Sequence, residues 1–378
     1  MEFSLFLAGG VPLLPRRGDP EEHAAKRVAR IQSVSRNVPP EEQAWQFLTL
    51  ARYRRGSRSL SETARERVLC QLRETVRRDL EISFTLCFLP VKVRNPLKTF
   101  AREGTEVDLG EAGALLRLHE IAIGLQMLLG RPAHARISSD GMRYADVLGY
   151  APPMIRGYQS NLRLLIDALG IHGTVRIVDE AELLPLDWNQ SVSDESAAIQ
   201  KELSGSGPVG ADVSKLEPSI ALCIDLGPDI SPRDVQMAFA VDLDDAQRRS
   251  RYPSAGDLRE LIERRTRAAT IGYIAANRVM LRRQVFATCW PLTVKGTVHP
   301  KAGEIGLYPV NCSTDNVFPY HGQGYFSPET SENIDGIRIG FASDLRREHG
   351  DRLHGIVLDP QHHPFSNGVH PFVVQYTQ

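Results

Sequence analysis

ISFTLCFLPVKV, residues 82–93, decides how this chain folds. It is a continuous apolar run with β-branched and aromatic members, the pattern of a strand covered on both faces. Working outward, Asp108 stands where a cap is needed before LGEAGALLRLHEIAIGLQMLLG. That helix is predicted to end at Gly130, with Arg131-Pro132 as its stop. HARISS (134–139) reads as a short strand running into an Asp140-Gly141 turn, and a helix is predicted from Pro152-Pro153 to Gly170. GTVRIVDEAELL then reads as a strand followed by a short helix. Alternation of strand and helix at this spacing builds a parallel sheet through crossover connections. The expected class is α/β, a Rossmann-like, mostly parallel sheet.

Around this core the texture differs. Residues 1–80 are predicted as a helical region, with EEHAAKRVARIQSV and SLSETARERVLCQLRETVRRDL placing apolar residues three or four apart. Ser61 is positioned to cap the second of these helices. The first half of the α/β core is assigned to 81–187. The stretch 188–218, rich in Ser, Gly, Asp and Gln, reads as a flexible insertion. The second half, 219–378, begins with PSIALCIDLG as a further strand. It continues with a long amphipathic helix over 255–283 and ends in a β-rich portion containing ATCWPLTVKGTV, EIGLYPV, GIRIGFA, LHGIVLD and HPFVVQY.

The 378 residues carry 45 Lys+Arg against 46 Asp+Glu, a net charge of −1. Counterion release needs a concentrated positive surface, so a globally basic nucleic-acid binder is excluded and no nucleic-acid partner is expected. No run of eighteen apolar residues occurs, so no membrane span is expected. MEFSLFLAGGVPLLPRRGDP lacks the basic start and small-residue cleavage site of a signal peptide. Five scattered cysteines without a CxxC pair read as reduced, mostly buried thiols, and the expected location is cytoplasmic.

Ligands of open α/β sheets bind beyond the carboxyl ends of strands. PVKVRNPLKT (90–99) leaves the first strand carrying Lys92, Arg94 and Lys98 around the turn former Asn95-Pro96. SSDGMRYAD (138–146) leaves the next with Ser138, Ser139, Asp140, Gly141 and Asp146. Cations facing hydroxyls and backbone N–H groups suit a phosphate ester, and Asp140 suits an amine or a base. An Asp-Gly turn beside a solvated basic loop fits the same residues equally well. Arg117 and Glu120 are i,i+3 neighbours whose default reading is a surface pair. His299 and His321, beside turn formers at predicted strand ends, form a candidate acid/base pair. His354, His362, His363, His370 and Asp359 crowd the C-terminus but match no metal-ligand spacing, so no metal is expected.

Taken in order, FLPVKVRNPLKTF, DLGEAGALLRLHEI, ISSDGMRYADVLG, IERRTRAATIGYI, VKGTVHPKAGEIGLYPV and FPYHG resemble the isonitrile (isocyanide) synthase family, the pyoverdine/dityrosine biosynthesis family. The resemblance spans roughly 85–180 and 255–325. It departs from the family where a Pro-Trp-His sequence is usual and Pro319-Tyr320-His321 stands here. It implies conversion of the α-amino group of tyrosine or tryptophan to an isocyanide, with C2 of ribulose 5-phosphate supplying the carbon and no cofactor. Motif membership does not assign individual roles; on the chemistry that the resemblance implies, we cast His299, His321, Asp140 and Lys98 as catalytic groups. Lys92, Arg94, Asn95, Arg117, Glu120, Ser138, Ser139, Gly141, Asp146, Arg264, Arg265 and Lys301 would bind substrate. A downstream oxygenase modifying the isonitrile is the implied partner activity. N-formylation of an amino acid, a metal enzyme using the C-terminal histidines, and a non-catalytic sugar-phosphate binder are the rival readings.

Overall fold

The computed structural model describes residues 19–50, 53, 61–88, 91–99, 101, 103–204, 209–221, 223–227, 230, 234–235, 253–285, 290–297, 304–307, 310–312, 322–326, 337–349, 353–356 and 373–376. Three helices come first: α1 (Asp19–Val34), α2 (Pro40–Leu48) and α3 (Glu62–Arg77). As the sequence predicts, Ser61 Oγ caps α3, accepting from the Ala64 N–H at 3.2 Å. Strand β1 (Ile82–Phe88) follows, then α4 (Leu109–Leu129), β2 (Ala133–Ser139), α5 (Gly141–Leu148), α6 (Pro152–Leu169) and β3 (Val175–Asp179). Helix α4 starts with a reciprocal cap. Asp108 Oδ1 accepts from the Gly110 N–H at 2.6 Å, and Glu111 Oε2 accepts from the Asp108 N–H at 2.8 Å. It ends at Gly130, whose φ of 62° is the left-handed conformation glycine adopts most readily.

After β3 come α7 (Trp188–Leu203), α8 (Val209–Ala221), α9 (Pro253–Arg283), β4 (Val294–Thr297) and β5 (Ile305–Gly306). The main sheet has the order β3-β2-β1-β4-β5, with every pairing parallel. The chain therefore winds outward from β1 to β2 and β3, then returns to β1's other side to place β4. That reversal puts a topological switch between β1 and β4, where Leu86 pairs with Gly296. Beneath lies an apolar core in which Phe84 and Leu86 of β1 meet Leu115, Leu118 and Leu125 of α4. Among the described residues α4 is the one helix long and apolar enough to cross a membrane, but 78% of its apolar window is buried in this core.

A mixed sheet of β6 (Asn311–Cys312), β8 (Ile337–Gly340) and β7 (Gln323–Phe326) follows, then α10 (Ala342–His349). An antiparallel pair of β9 (Leu353–Ile356) and β10 (Val373–Tyr376) completes the β-rich portion. Gly324 of β7 presses against the start of α4. A Cβ built there falls 2.0 Å from the Gly110 nitrogen, which is backbone and cannot swing aside. Gly324→Ala is therefore expected to destabilise by about 1–3 kcal/mol or more, read as a lowered thermal midpoint. An unchanged midpoint would show that this approach is looser than described.

Four expectations need correction. Residues 188–218 are not a flexible insertion over their described part but α7 and most of α8, both packed on α9. Trp188, Ile199, Val209, Val213 and Ile220 supply the buried stripe, thinly spaced among polar residues, which is why composition hid it. PSIALCIDLG is not a strand; its first part ends α8 and residues 223–227 are irregular. A short apolar run does not distinguish a buried helix from a strand. Asp140-Gly141 is not a free turn, because Gly141 opens α5. Among the described cysteines, Cys70 is exposed rather than buried.

Candidate functional site

The site is built from three adjacent strand ends. Beyond β1, residues 91–99 form a compact loop. The Asn95 carbonyl accepts from the N–H groups of Lys98 and Thr99, and Asn95 Oδ1 accepts from the Leu97 N–H at 3.0 Å. Its far side is tied to α10, where the Ala342 N–H donates to the Lys98 carbonyl and the Ser343 N–H to that of Leu97. Ser138 and Ser139 end β2 with Asp140 just beyond it, and beyond β3 comes Glu180. Helix α9, with Tyr273 and Asn277, and the segment carrying Cys223 and Asp225 complete the surroundings.

At the β2 and β3 ends the polar groups are buried and mutually held. Arg143, in the first turn of α5, lies 3.1 Å from Asp140 and 2.9 Å from Glu180. Ser138 donates a short hydrogen bond to Glu180 Oε1, and Gln159 of α6 donates to Ser139 Oγ at 2.8 Å. The Arg143 guanidinium lies over the Tyr144 ring at 4.5 Å; that ring stacks on Tyr273 at 4.9 Å, and its hydroxyl donates to Asn277. Asp140 Oδ1 is buried without a hydrogen-bond partner among the described residues. Burial pushes the Asp140 carboxyl up to about 7; Arg143 opposes this and Glu180 adds to it.

The two loop lysines lie in opposite electrical company. Lys92 is buried, 2.8 Å from Asp108 and 2.9 Å from Glu111, whose Oε1 also lies 2.8 Å from the Tyr158 hydroxyl. Burial pulls its ammonium down, but the two carboxyls together outweigh burial and hold it above the usual lysine range. Burial, then Asp108, push the Glu111 carboxyl up, with Lys92 opposing them. Asp108 also accepts from Gln323 and from the Gly324 N–H, joining β7 to the cluster. Lys98, equally buried, is pulled down to about 7 by desolvation, with Cys223 the opposing influence. Its ammonium lies 5.7 Å from the centre of the Phe341 ring. Burial in turn pushes the Cys223 thiol up to about 11, with Lys98 lowering it and Asp140 raising it. The Cys223 thiol thus feels both Lys98 and Asp140.

Of the candidates, Lys98, Ser138, Ser139, Asp140 and Gly141 come to these strand ends, with Asn95 shaping the loop. Lys92 is not an open anion clamp, because its charge is already spent on Asp108 and Glu111. Arg94 holds Asp225 with Nε 2.9 Å from Oδ1. Arg117 and Glu120 are neither a surface pair nor near the strand ends. They are buried at 3.0 Å separation, two to three turns along α4, with Arg27 and the Tyr53 hydroxyl also on Glu120. Asp146, Arg264 and Arg265 face solvent, although Arg265 reaches the Asp225 carbonyl at 3.5 Å. His299, Lys301 and His321 lie outside the described residues, as do the side chains of the C-terminal histidines. Among the described residues no three His, Cys, Asp or Glu side chains converge as for a metal.

Sequence reasoning passed over Arg143, Glu180, Cys223, Tyr273 and Asn277. Only Glu180 carried a readable signal, since it follows the third predicted strand as Asp140 follows the second. A groove of about 330 Å³ between α7 and α9, lined by Glu195, Arg282 and Arg283 among others, is a different place. Its charges are paired across it, Arg283 with Asp187 at 2.6 Å and Arg282 with Glu195.

The family described as "Pyoverdine/dityrosine biosynthesis protein" matches residues 72–209, which include both strand-end segments. The structure is similar to the crystal structure of the PvcA protein from Pseudomonas aeruginosa, with a TM-score of 0.60 over 89% of this chain and 99% of that one, at 16% identity. At that identity the likeness carries the fold. No curated protein matches by sequence. The resemblance read from the motifs and the α/β class with its parallel sheet are both borne out.

Proposed function

Because residues 72–209 carry the pattern of the pyoverdine/dityrosine biosynthesis family, we propose that this chain is an isonitrile synthase. It condenses the α-amino group of an aromatic amino acid with the ketone of ribulose 5-phosphate and releases the amino acid as its isocyanide. The observation that carries the reading is the buried Asp140 carboxyl, with one oxygen lacking a hydrogen-bond partner among the described residues, held beside Arg143 at the strand ends. An amine is the group that such an oxygen accepts from. Condensation of amine with ketone and the later bond cleavages each move a proton. A carboxyl near neutrality both gives and takes one. Arg264, Arg265 and Lys301 are assigned to the phosphate, and His299 and His321 to proton transfer in the later steps.

The titrations give this reading a pH signature. With Lys98 assigned to take the proton from the attacking amine, condensation needs Lys98 neutral and Asp140 protonated. Activity therefore rises as pH increases through the lysine's value of about 7 and falls as Asp140 ionises through about 7. The groups facing Asp140 are Arg143, Glu180, Cys223 and Tyr273. The expected profile of kcat/KM is a narrow bell centred near neutrality. A plateau extending from pH 5 to 9 would contradict these assignments.

The function itself is tested by incubating chelator-treated protein with ribulose 5-phosphate and each of the twenty amino acids, followed by mass spectrometry. The expected product is one amino acid heavier by about 10 mass units, two amine hydrogens exchanged for one carbon, with phosphate released. A gain of about 28 units would identify formylation instead. No shift from folded protein that retains the sugar phosphate would identify a binder.

A further inference from the structure

The main sheet has two unlike faces. Phe84, Leu86, Ala135, Ile137 and Val294 turn toward α4 and the apolar core, so the residues between them turn the other way. Strand register sets four of these in one row across the sheet. Arg176 of β3 is beside Arg136 of β2, Arg136 beside Thr85 of β1, and Thr85 beside Lys295 of β4. Parallel sheets ordinarily bury apolar side chains on both faces. Here a row of cations crosses the second one.

The charges in the row are not met alike. Lys295 lies 2.9 Å from Glu304. Among the described residues no carboxylate pairs with Arg136 or Arg176. The acid that acts on Arg136 is Glu81, and it lies instead against His134, 3.4 Å from Nδ1. Arg136 donates its Nε–H to His134 Nε2 at 2.9 Å and has the Trp290 ring 5.9 Å away. Burial, then Arg136 and Arg176, hold that histidine down to about 4, so it stays neutral and adds no counter-charge. Like charges side by side on adjacent strands cost stability. Thr85, next in the row, is 3% exposed, and its Oγ1 has no hydrogen-bond partner among the described residues. Buried hydroxyls are ordinarily paired, so its O–H is a further donor for a ligand on this face.

We propose that Arg136 and Arg176 bind a phosphate-class dianion on this face of the sheet, either inorganic phosphate or the phosphate of a small monoester. Two planar guanidinium forks suit phosphate oxygens, and the bond to His134 leaves the Arg136 Nη groups as donors. A dianion cancels both charges, whereas a single carboxylate cancels one. Arg136 precedes the end of β2 by three residues, about 10 Å along the strand. The site is therefore separate from Asp140 and Glu180 and independent of the reaction proposed above. An anion gripped by both arginines ties the edge strand β3 to β2.

The test is binding of inorganic phosphate to the full chain, read by calorimetry and by the thermal midpoint. Sodium chloride of equal ionic strength is the reference, because screening alone also relieves the repulsion. Phosphate should raise the midpoint above that reference. Arg176→Gln should stay folded, since the side chain is exposed and no described residue pairs with it. It should weaken phosphate binding by about tenfold or more. Glycerol 3-phosphate separates the two sources: tighter binding that needs Arg176 identifies a monoester, and weaker binding identifies free phosphate. Phosphate acting no better than chloride overturns the proposal. Binding that Arg176→Gln leaves unchanged also overturns it, since the anion then sits elsewhere on the chain.

Discussion

Lys92→Met is expected to cost about 3–5 kcal/mol of folding stability, because it leaves the Asp108 carboxylate buried without its counter-ion. Asp108 is fully buried, and it simultaneously caps α4 and holds Gln323 and Gly324 of β7. It cannot turn to water without dismantling the contact between α4 and β7. The measurement is denaturant unfolding of the two proteins side by side. Lys92→Met with Asp108→Asn should recover only part of the loss, since the Asp108 charge is gone but the amide N–H2 takes the place of the oxygen that accepts from Gln323 and Gly324. Were the single variant as stable as the parent, Lys92 would be the open, solvated cation that its motif first suggests.

Asp140→Asn is expected to lower kcat/KM by about 10²–10⁴-fold, the range for removing a positioned general acid or base. Its fold should survive, because the change is isosteric and Arg143 retains Glu180 at 2.9 Å. The loss should be accompanied by disappearance of the alkaline limb of the pH profile, which Asp140 ionisation sets. A purely structural Asp140 would instead lower stability and leave the shape of the profile unchanged.

These two residues show what the sequence could and could not reveal. Asp140 and Lys98 were legible because each follows a strong apolar strand, and the ends of parallel strands are where ligands bind. The same run placed β1, and the caps at Asp108 and Gly130 bounded α4. Lys92 was misread for the opposite reason. Its partners Asp108 and Glu111 were visible only as the start of a helix, and nothing in linear order says that the helix start folds back onto the loop. Arg117 and Glu120 look like any exposed i,i+3 pair until α1 and Tyr53 cover them. Arg143, Cys223 and Tyr273 reach Asp140 from three separate elements, a convergence that spacing cannot encode. The stripe through α7 and α8 was lost because its buried members are few and their neighbours polar.

The central claim, that this crevice transfers a ketose carbon to an amine nitrogen, is tested most directly with ribulose 5-phosphate labelled with ¹³C at C2. Given the amino acid that the scan identifies, the product should be heavier than the substrate by about 11 mass units rather than about 10. A product that stays at about 10 units, or no product at all with the sugar present, would contradict the account.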